Sequence, residues 1–152
     1  MQPKIVTKPA FMVMGMKYVG RNQNQEIAQM WGALNPRYNE IPVVKDSCAY
    51  GLCYTLDNAE EGVFEYVAGF EVTRADDLPQ GMVVRMVPEQ KYAVFEHRGP
   101  LTNLGETYQN VYQVWMPQSG LQIAAPFDME VYTEEFKMGA PDSVFYIYVP
   151  VK

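Results

Sequence analysis

The fold is decided by residues 90–116, QKYAVFEHRGPLTNLGETYQNVYQVWM. The first part of this stretch, residues 90–98, is rich in aromatic and β-branched side chains and predicts a strand. Residues 101–116 repeat apolar side chains with a helical period, between Pro100 at the first turn and Pro117 at the end. One helical face then carries Leu101, Leu104, Tyr108, Val111, Tyr112 and Trp115. We therefore expect a strand followed directly by an amphipathic helix.

The same order occurs earlier in the chain. A predicted strand at residues 11–19 precedes a helix at residues 22–35, with Asn22 as its N-cap and Pro36 at its end. Its apolar face carries Ile27, Met30, Trp31 and Leu34. Turn residues bound the other expected strands, at residues 50–56, 63–72, 81–87, 127–135 and 144–151.

This order indicates an internal duplication. Strand, helix, strand and strand occur twice with an offset of roughly 80 residues, about half the chain. Two βαββ units predict an α+β fold, in which one antiparallel sheet carries both main helices on one face. We expect one domain over residues 1–152, with pseudo-repeats at approximately 1–77 and 78–152. A ligand cleft is expected between the two halves.

Composition and charge exclude several classes of protein. The chain has 152 residues, of which 48% are hydrophobic, so it is a folded domain and not a disordered segment. A net charge of −6 argues against direct nucleic-acid binding. The apolar run at residues 11–16 is too short to cross a membrane, so we expect a cytoplasmic protein without membrane contact. Cys48, Cys53 and the single His97 form no metal motif, and no metal or cofactor is expected.

Glu130 is the candidate site residue. It lies in the middle of a predicted strand, on the same face as Asp128 and Tyr132, and the matching position of the first half is Leu52 or Cys53. The chain contains 11 Tyr, 7 Phe, 2 Trp and 10 Met, which suit an aromatic cleft. An unpaired carboxylate is costly to bury, and a cation with delocalised charge removes that cost. The alternative is that Glu130 faces water on the outside of the sheet.

Several motifs together resemble a known family. They are residues 91–101 (KYAVFEHRGPL), a helix with Tyr108, Tyr112 and Trp115, then PQSG, DMEVY and a last strand ending YVPV, preceded in the first half by VMG, Trp31 and a PQG turn. This series is similar to the GyrI-like effector-binding domain, which is found at the C-terminus of AraC-type and related multidrug-responsive transcription regulators. The resemblance covers essentially the whole chain.

The resemblance implies a cleft that takes lipophilic aromatic cations. Its key acid corresponds to Glu130, and its aromatic walls to Trp31, Tyr108, Tyr112 and Tyr132. Weaker candidates for the same site are Met14, Met16, Phe95 and a tyrosine of the last strand, Tyr146 or Tyr148. For each of these side chains, plain packing in the core is the competing interpretation.

Three functions follow from this sequence. The first is a non-enzymatic, free-standing sensor of a hydrophobic cationic small molecule, because the match begins too early to leave room for a DNA-binding region. The second is a hydrolase of reactive electrophiles, with Glu130 as general base and Tyr132 or Tyr112 orienting the substrate. The third is an inhibitor or adaptor that binds a protein partner through its acidic surface.

Overall fold

Eight strands form one antiparallel sheet in the computed structural model, which describes residues 2–152. The strands are β1 (Lys4–Lys8), β2 (Phe11–Gly20), β3 (Ala49–Thr55), β4 (Phe64–Val72), β5 (Val83–Val87), β6 (Gln90–Arg98), β7 (Phe127–Tyr132) and β8 (Val144–Pro150). Their order across the sheet is β1-β6-β8-β7-β3-β4-β2-β5. The predicted antiparallel α+β architecture is confirmed.

Two helical segments connect the strands. The first consists of α1 (Glu26–Leu34) and a 3₁₀ turn (Asn35–Glu40), and the second of a 3₁₀ turn (Leu101–Asn103), α2 (Leu104–Gln109), a π-helical stretch (Asn110–Trp115) and α3 (Met116–Ser119). Pro36 and Pro117 do not end these segments as expected. Each lies in the first turn of a new helical piece, where a missing N–H leaves no hydrogen bond unmade.

Corresponding strands of the two halves occupy equivalent positions on either side of the sheet centre. β3-β4-β2-β5 runs one way and β7-β8-β6-β1 the other, so that β2-α1-β3-β4 matches β6-α2-β7-β8. The two edge strands are exchanged between the halves, because β1 pairs with β6 and β5 pairs with β2. The sequence analysis missed β1, a five-residue strand with lysine at both ends, as is typical of protected sheet edges.

Two short connections curl the sheet. β1 and β2 lie near opposite ends of the strand order, and only Pro9 and Ala10 join them; Pro88 and Glu89 likewise join β5 to β6. Three Cα–Cα steps span at most about 11 Å, so the two ends of the sheet must lie close together. The concave face encloses a buried cluster made of Phe11, Val13, Tyr50, Leu52, Val67, Val87, Tyr92, Met129 and Val131.

The convex face carries the helices. α1 packs over β2 and β4, where Leu34 is fully buried against Met14 and Phe70. The second helical segment packs over β6 and β8 through Val111, which belongs to a cluster with Phe95, Ala93, Phe145 and Ile147. The two central strands, β3 and β7, form the floor of the groove between the helical segments. The junction of the two halves therefore lies at the bottom of this groove.

Candidate functional site

Glu130 lies on the floor of the groove. In β7 the side chains of Asp128, Glu130 and Tyr132 point towards the helices by alternation. The register places Gly51 of β3 directly across from Glu130, whereas Leu52 belongs to the cluster on the concave face. Only 7% of Glu130 is exposed, so the acid does not face water.

Three phenols hold the Glu130 carboxylate; we call Tyr66, Tyr108 and Tyr132 the tyrosine cluster. The hydroxyls of Tyr66 and Tyr132 donate to Oε1 at 3.0 Å and 2.8 Å, and that of Tyr108 donates to Oε2 at 2.9 Å. The indole N–H of Trp31 donates in turn to the Tyr66 hydroxyl at 3.1 Å. Donors from α1, α2, β4 and β7 thus converge, directly or through one hydroxyl, on a single carboxylate.

Gly51 makes this arrangement sterically feasible. A Cβ atom at position 51 would overlap the hydroxyl oxygen of Tyr66, a residue that is only 2% exposed. The absence of a side chain on β3 therefore lets Tyr66 reach across from β4 to Glu130. Gly51 and Tyr66 were not identified from the sequence, because only the strand register brings them to the acid.

The direct hydrogen-bond partners of the Glu130 side chain are neutral phenols. Burial raises the pKa of this carboxyl group, and the hydrogen bonds from Tyr132, Tyr108 and Tyr66 act in the opposite direction. Within residues 2–152, the ion pairs of Lys and Arg side chains involve other acids, and neither Glu130 nor Asp128 takes part in one. Among the described residues, no lysine or arginine therefore forms an ion pair with this buried carboxyl group.

Asp128 is a second acid in the same groove. Its Oδ2 atom accepts a hydrogen bond of 2.5 Å from the Tyr112 hydroxyl. Burial raises the pKa of Asp128 to about 6; the Tyr112 hydrogen bond lowers it, and the charge of Glu130 raises it. The sequence pattern placed Asp128 on the face of Glu130, but we did not predict it as a site residue.

The π-helical stretch helps to place the two helix tyrosines. Tyr108 lies in the last turn of α2 and Tyr112 lies within the stretch, and their rings are nearly parallel with centroids 6.5 Å apart. One phenol reaches Glu130 and the other reaches Asp128. Such π-helical turns occur frequently at functional sites.

The other predicted site residues divide into two groups. Met14 and Met16 pack beneath α1 in the cluster that contains Tyr66, and Phe95 packs against Trp115 with ring centroids 5.0 Å apart. Tyr146 and Tyr148 pair with Val131 and Met129, so they lie on the concave side of the sheet. The structure thus brings Trp31, Tyr108, Tyr112 and Tyr132 to the two acids, but not the tyrosines of β8.

Tyr132 also lines an open cavity. The cavity has a volume of about 370 Å³ and is lined by Asp46, Ser47, Cys48, Tyr132, Thr133 and Glu134. The Tyr132 ring packs against Phe145 at 4.8 Å and meets the edge of Trp31 at 6.0 Å between centroids. In this structure aromatic side chains fill the predicted cleft above Glu130, and Tyr132 links the acid to the open space.

Both ring nitrogens of His97, the single histidine, have polar neighbours. Its Nε2 atom lies 3.1 Å from the carbonyl of Pro100 and its Nδ1 atom 2.8 Å from the Thr107 hydroxyl, so both ring nitrogens have partners. Residues 2–152 hold no group of three His, Cys, Asp or Glu side chains arranged for a metal ion. In the same part of the chain, every helix is too short or too polar to cross a membrane.

A buried acid beneath aromatic side chains, at the junction of two matching halves, defines a small-molecule-binding domain. The profile of the GyrI-like small molecule binding domain matches residues 1–152, and the chain belongs to this family. The transcriptional regulator BrlR of Pseudomonas aeruginosa is 39% identical over 153 residues, which cover 99% of this chain and 56% of BrlR. The chain therefore spans little more than half the length of that regulator.

Solved structures share the fold. SAV2435 bound to tetraphenylphosphonium has a TM-score of 0.78 at 19% identity, over 100% of this chain and 94% of that one. EcmrR, in a complex with DNA, has a TM-score of 0.75 at 14% identity, over 99% of this chain and 57% of that one. A hydrolase from Listeria innocua has a TM-score of 0.62 at 12% identity, over 99% and 92%.

Proposed function

We propose that the chain is a sensor or binding module for lipophilic aromatic cations, with Glu130 as the anionic anchor. The observation that carries this proposal is the buried Glu130 carboxyl group, which three neutral phenols hold and with which no Lys or Arg of residues 2–152 forms an ion pair. The bound tetraphenylphosphonium of SAV2435 supports it, because that ligand is an aromatic cation in a protein of the same fold.

The surroundings of Glu130 suit a cation of low hydration. A buried carboxylate attracts a cation strongly, since little water remains to screen the interaction. Rings of Trp31, Tyr108 and Tyr132 surround the acid, and each aromatic face in contact with a cation contributes roughly 0.5–2 kcal/mol. A compact, strongly hydrated ion loses more hydration on transfer into such a site than a bulky organic cation does.

Binding requires the tyrosine cluster to rearrange. The rings fill the groove in this structure, so a ligand must displace at least one phenol from Glu130. Each hydrogen bond given up costs about 0.5–1.5 kcal/mol, which the ion pair with the ligand offsets. Tyr132 is the residue we expect to move first, because its ring borders the cavity of about 370 Å³.

Titration with tetraphenylphosphonium tests the proposal. Calorimetric titrations of the wild-type protein and Glu130→Gln should give at least a ten-fold weaker Kd for the variant, because the anion is lost and the shape is kept. Glu96→Gln is the matched control, since Glu96 is an exposed strand carboxylate that pairs only with Arg98. Equal affinity of the wild-type protein and Glu130→Gln, or no binding by the wild-type protein, would refute the function.

Hydrolysis is the second candidate function. A carboxyl group whose pKa is raised by burial is suited to accept a proton from water, and Tyr132 lies close enough to orient a substrate. Turnover of a strained electrophile that disappears in Glu130→Ala would support this function. Stoichiometric cation binding without any turnover would favour the sensor.

A further inference from the structure

One oxygen of Asp128 has no hydrogen-bond partner. Among residues 2–152, only two buried side-chain polar atoms lack a partner, the Oδ1 atom of Asp128 and the hydroxyl of Tyr92. The Tyr92 hydroxyl belongs to the cluster on the concave face, away from the groove. The Asp128 oxygen lies in the groove itself, two residues from Glu130. An unsatisfied buried acceptor costs about 1–3 kcal/mol, so its presence in a binding site calls for a partner.

The protein offers no strong donor to this oxygen. The Tyr112 hydroxyl is already engaged with Oδ2, and both oxygens of Glu130 are already engaged with the tyrosine cluster. Cys53 lies directly across from Asp128 on β3, and its thiol lowers the pKa of Asp128 through a hydrogen bond, but a thiol is only a weak donor. Only a group from outside the chain can therefore supply a full hydrogen bond to Oδ1.

The two carboxylates are close enough for one ligand to reach both. Asp128 and Glu130 occupy the same face of β7 two residues apart, a spacing of about 6.5 Å along a strand. Their phenol partners, Tyr112 and Tyr108, also lie side by side with nearly parallel rings. The groove thus holds two adjacent acids. Glu130 accepts hydrogen bonds from three phenols, whereas the Oδ1 atom of Asp128 lacks a strong donor.

We propose that Asp128 is a second recognition carboxylate, which selects cations that carry N–H donors over cations that carry none. This inference rests on the proposed function, because it names the ligand class of the same site. A protonated amine, amidinium or guanidinium group would place its charge near Glu130 and donate an N–H to Oδ1 of Asp128. A quaternary ammonium or phosphonium ion has no such hydrogen and would interact with the acids by charge alone.

The energetics favour this discrimination. A charge-assisted hydrogen bond is roughly twice as strong as a neutral one, and it removes the cost of the vacant acceptor as well. Burial raises the pKa of Asp128 to about 6, so the groove by itself stabilises the charged carboxylate poorly. A nearby ligand cation would lower this pKa and hold the group ionised.

A matched pair of fluorescent probes tests the proposal. (Pyren-1-ylmethyl)ammonium and its trimethylammonium counterpart share the same ring and charge, and only the first has N–H donors. Both are titrated at pH 7.5 into the wild-type protein and Asp128→Asn, with tetraphenylphosphonium as a reference. We expect the wild-type protein to bind the ammonium probe about ten-fold more tightly. In Asp128→Asn both affinities fall with the lost charge, and the preference falls to about one-fold.

Further outcomes separate this inference from the proposed function. If tetraphenylphosphonium binds in a Glu130-dependent way but the wild-type protein shows no preference between the probes, only the inference is wrong. If no cation binds, both are wrong. An unchanged preference in Asp128→Asn would also overturn the inference.

Tyr112→Phe supplies the last control. This variant keeps the ring but removes the donor to Oδ2 of Asp128, so the preference for the ammonium probe should be retained or increase. A loss of the preference in Tyr112→Phe would assign the discrimination to the phenol and overturn the inference. Circular dichroism of each variant establishes that it is folded.

Discussion

The two central strands of the sheet are neighbours with opposite character. β7 presents Asp128 and Glu130 to the groove, whereas the residues directly across from them on β3 are Cys53 and Gly51. Charge and hydrogen-bonding capacity are concentrated on one strand, and small side chains on the other. The free space over β3 is used by Tyr66, which reaches the acid across the position of Gly51.

This difference shows how a symmetric sheet acquires an asymmetric site. A carboxylate on both strands would place two like charges opposite each other, which is destabilising. A large side chain on both strands would exclude the phenols that satisfy the acid. The site therefore depends on the small residues of β3 as much as on the carboxyl groups of β7.

The largest effect is expected when the space on β3 is filled. In Gly51→Ala the new Cβ overlaps the Tyr66 hydroxyl, which has to leave Glu130, and overpacking of this kind costs about 1–3 kcal/mol. Chemical denaturation measures the loss. Tyr66→Phe removes the overlapping oxygen, so its own cost should be smaller in the Gly51→Ala background than in the wild-type protein. Strict additivity of the two changes would contradict the steric explanation.

The next effect removes one acid from β7. Asp128→Asn should raise stability at pH 7.5 by about 2 kcal/mol and leave it nearly unchanged at pH 4. The folded pKa of about 6 exceeds the ordinary value near 4, so wild-type stability falls as the pH rises between these values. The groups that face Asp128 are the Tyr112 phenol, the Cys53 thiol and Glu130. Thermal unfolding of both proteins from pH 4 to 8 provides the measurement; a pH-independent difference would contradict it.

A smaller effect is expected when one donor to Glu130 is removed. Tyr132→Phe keeps the ring and deletes a hydrogen bond of 2.8 Å, which should lower stability by about 1 kcal/mol. The affinity for tetraphenylphosphonium should rise several-fold, because the ligand no longer has to displace this phenol. Tyr146→Phe is the control, since its hydroxyl binds Glu135 on another surface. Weaker binding by Tyr132→Phe would show that the hydroxyl itself contacts the ligand.

The smallest effect concerns the two helical segments. The N-cap of α1 is Gln25 and not Asn22 as predicted, but the side chain of Asn22 accepts a hydrogen bond from the N–H of Ile27. The start of the second segment at Pro100 has no side-chain cap. Asn22→Gly should cost about 0.3 kcal/mol, because it removes the acceptor and glycine tolerates the positive φ of 54°. Asn22→Ala should cost more, since alanine adds backbone strain. Equal stability of the two variants would exclude the contribution of the backbone.

Much of the fold was predictable from local patterns. The periodic apolar residues around Trp31 and Tyr112 predicted both helical segments, and alternation along β7 placed Asp128, Glu130 and Tyr132 on one face. The identity of the acid followed from the same alternation and from the family resemblance. Boundaries were less accurate, since prolines at positions 36 and 117 start new helical turns instead of ending a helix.

The rest of the site depends on contacts between distant parts of the chain. Tyr66 lies in an ordinary-looking strand, and only the pairing of β3 with both β4 and β7 brings it to Glu130. The role of Gly51 likewise depends on the bulk of a residue on another strand. Tyr146 and Tyr148 were candidates because of their residue type. The register of β8 against β7 decides which face they occupy, because a shift of one residue would move them to the other face.

The exchanged edge strands tie the two halves into one folding unit. Each half contributes its first strand to the sheet of the other, so a fragment ending at residue 77 would lack β5, one of the two strands that β2 pairs with, and would carry β1 without its partner. We therefore expect neither half to fold stably on its own. Two separately synthesised halves would have to exchange edge strands with each other, or each with a second copy of itself. Only then would the aromatic side chains cover Glu130 and Asp128.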